Sequence, residues 1–318
     1  MMSSAERTAP APALADALSQ TAAAIEALLD TLLQDGPEPG ELHRPARLLA
    51  AMRHGALGGG KRLRPFLVVE TARLFGVPPE QALRAGAAVE LAHCYSLVHD
   101  DLPAMDDDDT RRGRPTVHKA YDEATAILAG DGLLTLAFDV IADPRTHPDG
   151  ETRAAVVLLF SRALGLGGMV GGQMLDLAAE GRFAADGAAE KLDEAQIRRM
   201  QAMKTGALLA GSVLIGARLG QADATQTAAL ERYGKALGAA FQVADDILDI
   251  EASPEQMGKA TAKDDAKGKA TLVAALGLDA AKRERDRLSE AASAALAGFG
   301  PEAALLRAAA EFTAQRKS

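Results

Sequence analysis

The 318 residues contain no tryptophan and only 3% aromatic side chains, and strand-like alternation of Val, Ile and Tyr is almost absent. Apolar residues recur instead at helical spacing over long runs, so these shortages point to an all-α fold. A sole cysteine, Cys94, rules out an internal disulfide and fits a reducing, cytoplasmic setting. Basic charge is also short: a net charge of −9 argues against nucleic acid, whose binding needs a basic face. The longest apolar run, Gly206 to Ala217, is too short to cross a bilayer and is diluted by Gly and Ser, so no membrane span is expected. Residues 1–12 have neither a basic segment nor an apolar core and read as a flexible tail without an export signal. Residues 13–318 show no compositional break or repeat, which predicts one large domain.

What the chain has in excess is carboxylate in two places. Asp100, Asp101 and the run Asp106 to Asp109 pack six carboxylates into ten residues, with Arg111-Arg112-Gly113 directly after. Like charges at the end of an apolar helix repel one another and oppose the helix dipole, and a divalent cation reverses that penalty. A solvated acidic loop is the plain alternative, but Pro103 breaks the chain between helices and argues for a defined turn. Far along the chain lie Asp245, Asp246 and Asp249. Asp245 and Asp249 stack on one helical face, where like charges again call for a cation.

Between and around these clusters the sequence predicts helices over 14–34, 41–54, 80–101, 124–142, 151–180, 192–219 and 225–250. One more opens at Pro65, and two or three amphipathic helices are expected within 271–318. Five glycines, Gly165, Gly167, Gly168, Gly171 and Gly172, interrupt the fifth of these stretches, and close helix packing is the expected offset. Gly55 to Lys61 matches GxxxxGK, but a helix precedes it and Arg62 follows where Ser or Thr is needed, so it is not an NTP-binding loop. Its glycines still allow close backbone approach to a ligand beside Lys61, Arg62 and Arg64.

The pair DDxxxxD and DDxxD, in that order with Arg111-Arg112-Gly113 after the first, resembles the trans-isoprenyl diphosphate synthases, most of all the bacterial farnesyl type. The likeness runs from Gly58-Gly59-Gly60-Lys61-Arg62-Leu63-Arg64-Pro65 through Lys269. It implies a single large helical bundle around a central cavity, the isoprenoid synthase fold, assembled as a homodimer. It also implies Mg²⁺, three ions bound with substrate diphosphate, held by Asp100, Asp106 and Asp245 with Asp101 and Asp249. The reaction implied joins isopentenyl diphosphate to dimethylallyl or geranyl diphosphate by ionisation, condensation and elimination. On this resemblance Lys61, Arg64, His93 and Arg112 hold isopentenyl diphosphate, while Arg111, Lys204, Lys259 and Lys269 meet the allylic diphosphate. Thr205 and Gln242 flank the nascent cation, and Tyr95 with Ser96 limits product length. Helix arithmetic puts Ser96 beneath Asp100 and Tyr95 on the flank, so fifteen and twenty carbons both stay open, with fifteen favoured by the aromatic at 95.

Other readings fare worse. A terpene cyclase steers cations with aromatic faces, which this chain hardly has. An EF-hand begun at Asp106 puts Arg111 where glycine is required and Val117 at the glutamate position. A non-catalytic helical scaffold leaves both carboxylate clusters and the basic motifs without a reason. Gln173, Asp176 and Asp107 to Asp109 receive no assigned role.

Overall fold

A computed structural model describes residues 12–251 and 271–315. α1 (Pro12–Leu32), α2 (Ala46–Ala56) and α3 (Leu63–Arg73) lead into the long α4 (Pro79–Asp100). A hairpin of two-residue strands, β1 (Thr110–Arg111) and β2 (Arg114–Pro115), and the one-turn α5 (Val117–Ala120) precede α6 (Glu123–Ala142), α7 (Gly150–Leu164) and α8 (Met169–Ala179). α9 (Glu194–Gln201) runs through a π-helical turn at Ala202–Gly206 into α10 (Ala207–Leu219), followed by α11 (Ala224–Glu251). Past residue 270 come α12 (Leu272–Leu276), α13 (Leu278–Ala295), a 3₁₀ segment at Ala297–Ala303, and α14 (Ala304–Gln315).

The middle of the bundle is α4, because its sequence gives it no polar face there. Ala85, Gly86, Ala87, Ala88, Val89, Leu91 and Ala92 are all buried, Glu90 among them is paired with Arg62, and a helix so nearly apolar all round belongs in an interior. Its small side chains let α3 and α6 pack against it, while α10 packs on α3, α7 and α11, and α11 also meets α13. Pro79 starts α4 at its first turn, where a missing N–H costs nothing, so the helix delivers Asp100 at its far end.

Three predicted elements differ in instructive ways. The helix expected from Glu41 begins at Ala46, after Pro45. Glu41 instead holds Arg44 at 2.7 Å, and Arg44 donates to the carbonyls of Leu32 and Gln34 at the end of α1. The 151–180 stretch is two helices, broken at residues 165–168. The 192–219 stretch carries a π turn, a feature that no apolar spacing foretells, and Lys204 and Thr205 sit in it.

By length and composition three stretches, Glu123–Ala142, Gly150–Ala179 and Glu194–Leu219, are apolar enough to cross a membrane. Apolar-run length did not pick out these stretches, because polar residues such as Asp131 and Asp139 in α6 interrupt each run. In the bundle α6 buries Ala126, Ala129, Leu133, Ala137 and Ile141, and α10 buries Leu208, Leu209, Val213 and Ile215.

Of the five glycines, Gly172 bears out close helix packing, while Gly165, Gly167 and Gly168 lie in the break between α7 and α8 rather than inside a helix. A Cβ on Gly172 falls onto the Lys204 backbone, well inside van der Waals contact, whereas Gly167 has nothing within 4 Å. Gly172→Ala is expected to destabilise the protein by about 1–3 kcal/mol through overpacking. Thermal melts of Gly172→Ala and Gly167→Ala check this, the second staying near wild type.

Candidate active site

α4, the turn after it, α8 and the π turn enclose a cavity of about 410 Å³ lined by Arg64, His93, Tyr95, Ser96, His99, Asp100, Gln173, Lys204 and Thr205 at its polar and aromatic walls. Met105, Met169, Val170, Met174 and Leu177 supply an apolar lining. A second cavity of about 470 Å³ is lined by Gly58, Gly60, Lys61, Arg62, Arg64, His93, Arg112 and Phe241. Arg64 and His93 belong to both, so they form the boundary between the two.

Asp100 is the electrostatic centre of the first cavity. Burial, with Asp106 and Asp101 beside it, pushes its carboxyl up to about 7 against the pull of Lys204 and Arg111. The turn folds back onto the helix end: Asp106 N–H donates to Asp100 O at 2.8 Å, and Asp108 N–H to Asp101 O at 3.2 Å. These bonds satisfy carbonyls that α4 leaves open and hold the carboxylates of the turn near Asp100. On the opposite wall Lys204 Nζ lies 2.5 Å from Asp176 Oδ2, a partner the sequence had left without a role.

The two arginines after the turn diverge because Arg112 and Gly113 both take left-handed backbone, φ 52 and 75, as a tight hairpin turn requires. Arg111 turns inward and clamps Asp101 at 2.6 and 2.7 Å, with Asp108 at 3.7 Å. Asp101 is therefore buried beneath Arg111 and lines neither of these two cavities. Arg112 turns the other way and donates to Gly59 O in the glycine loop.

That loop is anchored by Arg62, whose guanidinium is buried at the edge of the second cavity and committed to internal acceptors. Its guanidinium reaches Glu90 at 2.5 Å, Glu26 at 2.6 Å and the Ala56 carbonyl at 2.7 Å. Burial alone would loosen its proton, but Glu90 and Glu26 hold it above the ordinary range. Burial and the surrounding arginines keep His93 well below its usual value, so it is neutral, and Arg64 Nη1 donates to its Nε2 at 3.3 Å.

The second cluster divides its labour. Asp245 is half-buried and acts electrostatically on Arg64, which ties it to the shared boundary, while Asp249 lies exposed further along α11. Asp246, which the sequence reading passed over, is buried and accepts from Gln201 Nε2 at 2.9 Å, Gln242 Nε2 at 3.2 Å and Leu272 N at 2.8 Å. Its place one residue, about 100°, round from Asp245 was the available signal. Gln242 lines a neighbouring cavity of about 460 Å³ with Gln201, Met203 and Leu272. Lys259 and Lys269 lie outside the described residues. Asp107, Asp109 and His118 bring one donor atom each within 4.8 Å of one another, an acidic group able to hold a metal.

An all-α bundle with Asp100 and Lys204 lining an apolar-walled cavity suits the isoprenoid synthase class of fold. The polyprenyl synthetase family model matches residues 45–297, and the chain belongs to that family. It is 42% identical over 278 residues to a farnesyl diphosphate synthase of Geobacillus stearothermophilus, covering 86% of this chain and 90% of the relative. It is 41% identical to a chloroplastic geranylgeranyl pyrophosphate synthase of Catharanthus roseus, covering 86% of this chain and 75% of the relative. The apo crystal structure of an FPP/GFPP synthase from Zymomonas mobilis superposes with a TM-score of 0.82 at 41% identity, covering 93% of this chain and 97% of that one.

Asp100 also sets a pH dependence. A carboxyl whose native value, about 7, exceeds its ordinary 3.8 keeps its proton longer folded than unfolded, so stability falls as pH rises from about 4 to about 7. Without metal or substrate, Asp100→Asn is expected to melt higher than wild type at pH 8, by roughly 2–4 kcal/mol, and to match it near pH 4. Melts of both proteins across pH 4 to 8 in chelator provide the check.

Proposed function

We propose that this chain is a short-chain trans-prenyl diphosphate synthase that condenses isopentenyl diphosphate with dimethylallyl and then geranyl diphosphate and releases farnesyl diphosphate. The carrying observation is the pair of cavities that share Arg64 and His93. A reaction between two diphosphates needs two anion sites meeting at one wall, and the cavity that holds Asp100 is lined by Met105, Met169, Val170, Met174 and Leu177, which suit a hydrocarbon tail.

In this reading the allylic substrate lies with its diphosphate near Asp100 and Lys204 and its hydrocarbon among Tyr95, Met169, Met174 and Leu177. Mg²⁺, three ions held by Asp100, Asp106 and Asp245 with Asp101 and Asp249 as further ligands, supplies positive charge to the leaving diphosphate. The donors fit such a hard cation: all are carboxylates, and Asp100 is desolvated enough that a cation restores its charge. Arg111 and Lys204, with Lys259 and Lys269, neutralise the same group as the allylic C–O bond breaks and its electron pair leaves on diphosphate. Lys61, Arg64, Arg112 and neutral His93 hold isopentenyl diphosphate so that its double bond attacks the allylic carbon. The departing diphosphate takes the proton lost in the final elimination. Thr205 and Gln242 present dipoles to the cation, Gln242 from the neighbouring cavity, where its amide nitrogen donates to Asp246.

Homodimerisation and a cytoplasmic setting belong to the same reading. Ile127 and Leu128 on α6 and Leu158 on α7 stand 45%, 57% and 50% exposed, an apolar face suited to a second copy. Sedimentation at micromolar concentration should give twice the chain mass.

Product length rests on Tyr95, which is 7% exposed and lines the channel with Ser96. Another five-carbon unit gains roughly 4 kcal/mol of burial at ~0.8 per methylene, enough to drive further elongation unless a wall stops it. Geranylgeranyl diphosphate is the second reading, favoured if that wall yields.

Purified protein given isopentenyl diphosphate, dimethylallyl diphosphate and Mg²⁺ should yield mainly the fifteen-carbon product, and Tyr95→Ala the twenty-carbon one. Asp100→Asn and Asp245→Asn should each lower kcat by orders of magnitude with the fold intact. Normal turnover in either, at saturating Mg²⁺, defeats the shared site. Arg112→Ala should raise KM for isopentenyl diphosphate and Lys204→Ala for the allylic partner. Equal changes for both substrates in both variants defeat the division.

A further inference from the structure

Tyr95 alone makes a poor stop, because a side chain on a helix face can swing aside when a growing hydrocarbon presses on it. Something must hold the ring, and the structure supplies a backing one turn further along α4. His99 meets Tyr95 edge to face, with centroids 5.7 Å apart and planes at 88°, and both rings line the channel. His99 is itself pinned across to α6: its Nε2 lies 2.9 Å from the Ile127 carbonyl, which can only accept, so Nε2 carries the proton. Asp131 Oδ1 stands 3.8 Å away on the same side. Room for the imidazole exists only because residue 130 has no side chain. A Cβ on Gly130 falls onto the His99 ring itself.

We infer that Tyr95, His99 and Gly130 form one chain-length wall, in which His99 is a positioning residue that transmits the rigidity of α6 to Tyr95. This rests on the prenyl synthase reading above and adds to it two residues with no charge role in the chemistry. Removing the backing and pushing on it then have opposite effects. His99→Ala frees Tyr95 and deepens the channel. Gly130→Ala displaces His99 off α6 toward the channel it lines and shortens it.

The test is the product distribution of the full-length enzyme with Mg²⁺, isopentenyl diphosphate and dimethylallyl diphosphate. His99→Ala should raise the ratio of twenty- to fifteen-carbon product about tenfold, the weight of one edge-to-face pair and its anchor. Gly130→Ala should raise the ten-carbon fraction. His99→Phe, which keeps the ring edge and loses the anchor, should fall between wild type and His99→Ala. Adding His99→Ala to Tyr95→Ala should lengthen the product no further than Tyr95→Ala alone, since the pair acts as one wall. An unchanged distribution in His99→Ala, or additive lengthening in the double variant, overturns the inference. Should Gly130→Ala fail to fold, the His99 variants and the double variant decide. Absence of any condensation by the wild type defeats the functional reading instead, so the two failures are distinguishable.

Discussion

The burial of negative charge at the end of α4 is the constraint on which the rest of the structure depends. Asp100 stands where a helix presents its own negative pole, in a cavity dry enough to push its carboxyl to about 7. Nothing in apolar packing favours such a group. Its neighbours make sense as a response: Lys204 is brought in on a π turn, Gly172 lets α8 close on that turn, and Asp176 holds the lysine from behind. The arrangement is strained in charge until a ligand of opposite demand arrives. A diphosphate with its cations is such a ligand, anionic toward Lys204 and Arg111 and cationic toward the carboxylates.

The second cavity is built on a different principle, with the Arg62 charge beside it paired to two carboxylates. Arg62 spends its donors on Glu90, Glu26 and a carbonyl, and accepts a left-handed backbone, φ 45, to do so. An internal cation so well paired stabilises little in net terms, but removal of either carboxylate would leave an uncompensated buried charge. What it achieves is direction. With Arg62 turned into the core, Lys61 and Arg64 on either side of it turn toward the ligand cavity, and Arg112 closes the far side through Gly59.

How much of this was legible in the sequence follows from the kind of signal each feature leaves. The helices were legible because apolar periodicity is long and redundant, and Asp100 and Lys204 drew attention because charge in an apolar setting stands out, whereas the basic loop was singled out by its resemblance to a family motif. The π turn left no such trace, since one extra residue in a helical turn changes no composition. Boundaries at Glu41 and Pro65 shifted for local reasons: Glu41 bonds Arg44, and Pro65 is tolerated at the third helical position because the N–H groups there are still unpaired. Arg62 and Asp246 were misread or missed because burial, which separates an anchor from a ligand, is a property of the fold. Arg111 and Arg112 look alike in sequence, and only the left-handed hairpin turn between the strands sends one to Asp101 and the other to the glycine loop.

Specificity for product length shows the same dependence on what sequence hides. An aromatic residue five positions before the first aspartate is visible in the chain, but its resistance to displacement is not. That resistance comes from contacts on a different helix, roughly 110 Å of extended chain away at about 3.4 Å per residue, brought together by α4 packing on α6. The backbone carbonyl of Ile127 has no sequence signature at all, and Gly130 reads as an ordinary helix-weakening glycine. On the inference above, a small residue on α6 that never touches the substrate sets how far the wall at Tyr95 can yield.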